Sequence, residues 1–275
     1  MSRENRIKIA EETIKILNQG YFITPKNEKI EIGESQKFAE LNTEVYTPKD
    51  TDDLIKKNSV SNSLETNFQV INETTLNAVR DLIDNGNEKV MCLNFASAKN
   101  PGGGFLNGSS AQEESIARAT GLYPCLLKCT DFYINNKKMK SCFYTDYMIY
   151  SPNVPIFKDE NGVCLNSLYK VSIITAPAVN ANVVKQMEPA NVAEIEIVMK
   201  RRIEKVLRIS KEKNYHNIVL GAWGCGVFGN SPIDISKFFK EVLDSKFKND
   251  FKNIVFAIYS NDKKFIQPFY DNFKR

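Results

Sequence analysis

The stretch KVMCLNFASAKNPGGGFLNGSSAQEESIARATGLYPCLLKC, Lys89 to Cys129, passes from an apolar run through a glycine loop into a helical pattern. Its opening, KVMCLNFA, is almost continuously apolar and of strand length, the pattern of a strand covered on both faces of a sheet. Three consecutive glycines, Gly102 to Gly104, follow at once. Glycines there let the backbone turn sharply and let N–H groups approach a ligand unobstructed by side chains. Beyond the polar spacer FLNGSSA, the segment Gln112 to Cys129 has helical character, with Ile116, Ala119, Leu122 and Leu126 able to share a face. Strand, glycine loop and helix in that order form the repeating unit of an α/β sheet.

The unit recurs outward along the chain. NIVL leads into GAWGCGVFGN, Gly221 to Asn230, and then into the helical IDISKFFKEVL. A helix is expected around Thr74 to Asn85 and a long one from Ala190 to about Lys213. YMIYSPNVPIF and YKVSIITAPAVN read as strands ending in proline turns, NIVFAIY as a further strand, and the chain closes helically from Asp262. Strands alternating with helices predict an α/β sheet with helices on both faces. At the other end, Arg3 to Leu17 reads as an amphipathic helix stopped by Gly20, and EKIEIGESQKF as a short hairpin or edge strand. Residues 1–60 are therefore expected to be an accessory layer on a main domain of residues 61–275.

A chain of 275 residues holds one large domain with room for an appendage. With 42% hydrophobic and 25% charged residues, disorder is excluded as a description of the whole. The formal charge of +4 is too small an excess to mark a nucleic-acid binder, yet it suits a small anionic ligand. Six cysteines without a CxxC pair, and the single histidine His216, disfavour a zinc site and suit free thiols in a reducing compartment. The start MSRENRIKIAEETIKIL resembles neither a leader nor an anchor, and no apolar run reaches the roughly 20 residues of a membrane span. The expectation is a cytoplasmic monomer with no membrane partner.

GGG here is neither GxGxxG nor followed by GK[ST], so alone it is equally compatible with a flexible turn. The second glycine cluster shifts the balance, because ligands of open α/β sheets sit at the carboxyl ends of strands, where such loops converge. Two of them suggest one diphosphate held from both sides. Glu113 and Glu114, as neighbours, project differently from a helix, so one can hold sugar hydroxyls while the other acts as an acid. An acid working near neutral pH needs partial burial or nearby negative charge, which a diphosphate and Glu113 would supply to Glu114. The plainer alternative is that Ser110 or a neighbour caps the helix and the acidic pair complements its dipole. Cys225 reads as a small filler, Trp223 as packing, His216 as a surface residue, and Asp146 and Asp159 as turn or surface residues.

Taken together, NFASAKNPGGGFLNGSSAQEE resembles the signature of the microbial poly(ADP-ribose) glycohydrolases, in which GGG is followed after a short spacer by QEE. RIKIAEETIKILNQGYF, YMIYSPNVPIFKDENG with ITAPAVN, and LGAWGCGVFGN are similar to the corresponding blocks of that family. The resemblance implies a macrodomain-like three-layer sandwich, a mixed β-sheet between helices with an N-terminal helical and hairpin extension, holding ADP-ribose at its strand ends. It implies Gly102, Gly103 and Gly104 against the diphosphate and terminal ribose. Gly224, Cys225, Gly226, Val227 and Phe228 would close from the other side, with Phe228 beside that ribose. Asn100 would reach ribose hydroxyls, with Ser97 its rival. Glu114 would protonate the departing ribose oxygen, Glu113 would orient the terminal ribose, and Gln112 would hold the carboxylate loop; no metal or cofactor is implied. The implied activity releases ADP-ribose from the end of poly(ADP-ribose). The alternatives are removal of single ADP-ribose groups from protein or from nucleic acid that carries the modification, a non-hydrolytic ADP-ribose-binding module, or hydrolysis of free ADP-ribose derivatives.

Overall fold

The computed structural model describes residues 1–57 and 63–273. Its strands are β1 (Tyr21–Ile23), β2 (Lys29–Glu31), β3 (Glu44–Tyr46), β4 (Asn67–Ile71), β5 (Val90–Phe95), β6 (Met148–Lys158), β7 (Cys164–Ala176), β8 (Asn217–Leu220) and β9 (Asn253–Ala257). Its helices are α1 (Arg3–Gln19), α2 (Gly33–Leu41), α3 (Pro48–Lys56), α4 (Thr75–Asp84), α5 (Gln112–Ala119), α6 (Leu122–Leu127), α7 (Thr130–Lys138), α8 (Ala181–Met187), α9 (Glu194–Glu212), α10 (Pro232–Lys246) and α11 (Lys263–Phe273). β1 and β2 pair as a hairpin, while the others form a seven-stranded sheet ordered β3-β6-β7-β5-β8-β9-β4. β7, β5, β8, β9 and β4 run parallel, and β6 is antiparallel to both its neighbours.

The apolar run of β5 is continuous because both faces of the sheet are covered. Met91 and Leu93, with Ile218, Leu220, Ile254 and Phe256, pack against Leu207, Phe239 and Phe269 of α9, α10 and α11. The alternate residues Val90, Cys92, Val219 and Val255 face Val79, Ile116, Leu126 and Phe132 of α4 to α7. This is the expected sandwich of helices, mixed sheet and helices. Since β5 and β8 are adjacent and parallel, the loops at their carboxyl ends open side by side.

Several expectations are corrected. The helical segment after the glycines breaks at Thr120, which is extended and bridges to Ile156, while the Gly121 N–H donates to the Pro155 carbonyl at 2.9 Å. β6 runs through its prolines instead of ending at them, because a register shift between Ser151 and Val154 absorbs Pro152 where no ladder donor is needed. In EKIEIGESQKF only Lys29–Glu31 is strand; from Gly33 the chain is the helix α2, with Gln36 and Ala39 buried at helical spacing. Residues 1–57 divide between two roles. α1 and the hairpin pack outside the sheet around Ile16, Phe22 and Phe157, whereas β3 is the sheet's edge and Leu54 of α3 enters the core. The division expected at residues 60/61 lies outside the described residues. Among the described residues, no helix is long and apolar enough to cross a membrane.

Candidate active site

Gln112, the first residue of α5, ties that helix to the end of β5. Its Nε2 donates to the Leu93 carbonyl (2.8 Å) and to Thr75 Oγ1 (3.1 Å), and its Oε1 accepts from the Phe95 N–H (2.8 Å). Both of its donors are thus engaged with protein, the geometry of a residue that holds the loop. The next two side chains part as their positions require. Glu113, 2% exposed, turns to the strand end, where its Oε1 accepts from Asn94 Nδ2 (3.2 Å) and its Oε2 from the Ser97 N–H (2.6 Å). Glu114, 9% exposed, turns to the glycine loop, accepting from the Gly104 N–H at Oε1 (2.9 Å) and the Ala111 N–H at Oε2 (3.1 Å). The two carboxyls meet again at Gly103. A Cβ there would overlap Glu114 Oε1 and lie 3.2 Å from Glu113 Oε2, and the residue's φ of +60° is left-handed, so glycine alone fits.

Burial pushes the Glu113 carboxyl up to about 8, overriding the Ser97, Asn94 and Gly102 hydrogen bonds that favour the carboxylate, and the charge of Glu114 adds to the rise. Glu113 therefore carries its proton for the most part at neutral pH. It was expected to lend negative charge to Glu114; because it is dry, it does not. The helix cap, expected at Ser110 or a neighbour, falls on a neighbour. Ala111 rather than Ser110 is the capping residue and has no side-chain oxygen, so the Glu114 carboxyl itself takes up the Ala111 N–H.

The N–H groups of the glycine run are engaged within the protein. Gly104 donates to Glu114, Gly102 contributes to Glu113, and Gly103 donates to the Asn100 carbonyl at 3.0 Å. They were expected to face a ligand, but the two carboxyls and the Asn100 carbonyl are nearer acceptors. Gly103 and Gly104 line the cleft; Gly102 does not, packing instead against Phe105 and Tyr123. Asn100 and Ser97 both line it, with Ser97 Oγ accepting from the Asn100 N–H at 3.2 Å.

The cleft holds about 840 Å³, and its other wall is the loop Gly224 to Phe228. Amide side chains fix that loop. Asn230 Nδ2 donates to the carbonyls of Val179 (2.8 Å) and Gly224 (3.1 Å), and Asn182 Nδ2 donates to the Val227 carbonyl (3.1 Å) while its N–H donates to that of Phe228 (3.0 Å). Among the described residues, the N–H groups of Gly226, Val227 and Phe228 meet no protein acceptor. Gly226 borders open space, and Val227 is 83% exposed. Consecutive free N–H groups at a strand end form an anion-binding concavity. Cys225 turns its buried thiol toward the Trp223 carbonyl, and burial pushes that thiol up, so it is no nucleophile here. Phe228 is half-buried, its ring 6.0 Å from that of Tyr144, and Trp223 is fully buried in the core.

Sequence reasoning missed the far end of the cleft, lined by Glu73, Leu76, Ile258, Tyr259 and Phe265. Glu73 and Leu76 follow the end of β4, which was not recognised, while Ile258, Tyr259 and Phe265 follow that of β9, which ends at Ala257 and not at Tyr259 as NIVFAIY suggests. It also missed Asn94, which donates to Thr175 Oγ1 (3.1 Å) as well as to Glu113 and so braces the acid from the neighbouring strand. Asp146 is neither a turn nor a surface residue. Against the burial that would raise it, buried Arg202 and Lys205 and exposed Arg201 hold its carboxyl well below the usual range, with contacts of 2.6 to 2.9 Å. Asp159 closes the β6–β7 turn, accepting from the N–H groups of Asn161 and Val163, and half-buried His216 does not line the cleft. Among the described residues, no three His, Cys, Asp or Glu side chains gather as a metal site would require, and the cysteines are free thiols.

Residues 10–159 match the family model described as microbial-type PARG, catalytic domain. Among solved structures, the chain is similar to poly(ADP-ribose) glycohydrolase from Thermomonospora curvata, at 36% identity over 98% of this chain and 100% of that one, with a TM-score of 0.94. The same enzyme bound to the inhibitor ADP-HPD gives 36% identity over 98% and 99%, with a TM-score of 0.91. Poly(ADP-ribose) glycohydrolase from Deinococcus radiodurans in complex with ADP-ribose gives 36% identity over 89% of this chain and 99% of that one, with a TM-score of 0.82. No curated protein matches the chain.

Proposed function

The chain belongs to the microbial-type poly(ADP-ribose) glycohydrolases, and on that footing we propose that Glu114 is the acid with which it cleaves the terminal ribose–ribose O-glycosidic bond of poly(ADP-ribose). With the ligand's diphosphate beside it Glu114 takes up a proton from solvent, and it gives that proton to the bridging oxygen as the C–O bond breaks, leaving the ribosyl carbon oxocarbenium-like. Water adds to that carbon, its proton passes to the Glu114 carboxylate, and ADP-ribose leaves with the acid restored. The N–H groups of Gly104 and Ala111 each hold one oxygen of this carboxyl, so it is aimed before a ligand arrives. Glu113, protonated near neutral pH, can both give and accept hydrogen bonds and so orient the ribose hydroxyls.

The free N–H groups of Gly226, Val227 and Phe228 suit the diphosphate, whose charge then stands beside the developing cation. Phe228 flanks the terminal ribose, Asn100 reaches its hydroxyls, and the base lies at the far end among Leu76, Ile258, Tyr259 and Phe265. Gln112 and Asn94 are positioning residues. ADP-ribosylated macromolecules are the partners, nucleic acid among them only when it carries the modification, and the free thiols suit action by a monomer in the reducing cytoplasm.

One observation carries the assignment: two carboxyls converge on Gly103 in a cleft whose lining also includes three consecutive residues, among the described ones, with N–H groups that meet no protein acceptor. The test is to incubate the protein with poly(ADP-ribose) and, separately, with mono-ADP-ribosylated protein, and to measure ADP-ribose release by chromatography. Release from the polymer is expected. Release from the mono-modified substrate alone would replace the polymer as substrate, and binding without release from either would leave an ADP-ribose-binding module.

A further inference from the structure

The spacer FLNGSSA carries the backbone from the glycines to Glu114, and its carbonyls lie outside any sheet or long helix. The carbonyls of Gly108 and Ser109 are held in half-buried hydrogen bonds, where a carbonyl requires a donor, and that of Asn107 in an exposed one. Three guanidinium groups supply the donors to these three consecutive residues. Arg3 Nε donates to the Asn107 carbonyl (2.9 Å), Arg6 Nε to that of Gly108 (2.6 Å), and Arg118 Nη1 to that of Ser109 (2.5 Å). Arg118 belongs to α5, but Arg3 and Arg6 come from α1, more than a hundred residues away, and precede the segment matched by the family model.

α1 is itself anchored on two sides. Buried Lys158 of β6 donates to the Ile9 carbonyl (3.1 Å), Thr13 Oγ1 (3.2 Å) and Glu12 Oε2 (3.3 Å), while Thr13 Oγ1 donates to the Arg118 carbonyl. Ala10 packs with Phe105 of the spacer and Ala117 of α5. Gly108 marks how closely the helix sits. A Cβ there would lie 2.7 Å from the Arg3 carbonyl oxygen and 3.0 Å from Ile7 Cγ1, and its φ of +75° is left-handed.

We infer that α1 is a strut for the catalytic loop, with Arg3 and Arg6 as positioning residues that set where the Gly104 and Ala111 N–H groups hold the acid. The inference rests on the glycohydrolase reading above. Neither arginine lines the cleft, so loosening the strut should disturb the aim of Glu114 without disturbing the grip on ADP-ribose.

The test compares wild type, Arg6→Ala, Arg6→Lys and the Arg3→Ala/Arg6→Ala double variant for kcat and KM on poly(ADP-ribose), and for ADP-ribose affinity and stoichiometry by calorimetry. Because small displacements of a reacting group are costly, the double variant should lose about tenfold in kcat, with KM and Kd within about twofold and one site per chain. Arg6→Lys should recover most of the loss of Arg6→Ala, since an ammonium can still donate to the Gly108 carbonyl. An unchanged kcat, a stoichiometry that falls in step with kcat, or a lysine variant no better than alanine would each overturn the strut. A wild-type protein that binds ADP-ribose but releases none from the polymer would overturn the glycohydrolase reading, and this inference with it.

Discussion

The two glycine-rich loops leave neighbouring parallel strands, yet they are stiffened by opposite chemistry. After β5, carboxyls gather N–H groups: Glu113 takes that of Ser97, and Glu114 takes those of Gly104 and Ala111. After β8, amides gather carbonyls: Asn230 Nδ2 takes those of Val179 and Gly224, Asn182 Nδ2 takes that of Val227, and the main-chain N–H of Asn182 takes that of Phe228. A loop whose donors are satisfied internally offers its acids to the cleft; a loop whose acceptors are satisfied offers its donors. The side chains that fix each loop thereby decide which polarity it presents, and the cleft acquires an acidic wall and an N–H wall from similar glycine-rich sequences.

That contrast breaks most readily at Gly103. Gly103→Ala places a Cβ against the Glu114 carboxyl and in a left-handed conformation, so kcat should fall about 100-fold while ADP-ribose still binds. Kinetics near wild type would mean that the two carboxyls do not depend on that close approach. On the other wall, Asn230→Ala removes the side-chain donor from two carbonyls that keep main-chain donors, Val179 from the Ala181 N–H (3.0 Å) and Gly224 from the N–H of residue 230 (3.1 Å). Stability should fall by about 0.5–1.5 kcal/mol, and the weakened cradle should cost about tenfold in ADP-ribose affinity with kcat at saturation preserved. A loss in kcat with Kd unchanged would place the chemistry on the wrong wall.

A smaller effect distinguishes Glu113. Its ordinary value is 4.5 and burial raises it to about 8, so between those pH values the folded protein holds a proton that the unfolded chain has released. Its contribution to stability is therefore full below pH 4.5 and is lost as pH rises through about 8. Glu113→Gln, which cannot titrate, should show a flatter decline of Tm across that window; parallel curves would remove burial of Glu113 as the cause. Least of all should change in the stability of Gly226→Ala, since a Cβ there meets nothing within 4 Å. A shift beyond about 0.5 kcal/mol would show that this loop is as tightly packed as the other.

Much of this was legible in the sequence because it is local. The apolar run of β5, the glycines at both strand ends and the Gln-Glu-Glu that opens α5 each declare themselves within a few residues. What escaped is held by distant partners. Arg3 and Arg6 look like solvated residues of an amphipathic helix until Asn107 and Gly108 are brought beside them. Asn94 breaks an apolar strand for no local reason, and its reason is Glu113. Asp146 reads as a turn residue because its cations lie on α9. The helix α2 was hidden because IEIGES alternates like a strand up to Gly33, while the buried face that makes it helical, Gln36 and Ala39, is short and half polar. The protonation of Glu113 was unreadable for a related reason, since burial is a property of the whole fold.

The claim at the centre is that Glu114, held by the Gly104 and Ala111 N–H groups, is the proton donor and not merely part of the binding wall. The direct measurement is ADP-ribose binding and single-turnover release from poly(ADP-ribose) by Glu114→Gln. Binding within about threefold of wild type, with the rate of release down by at least about 1,000-fold, is the predicted result for loss of a general acid. Release at a rate near wild type would contradict it.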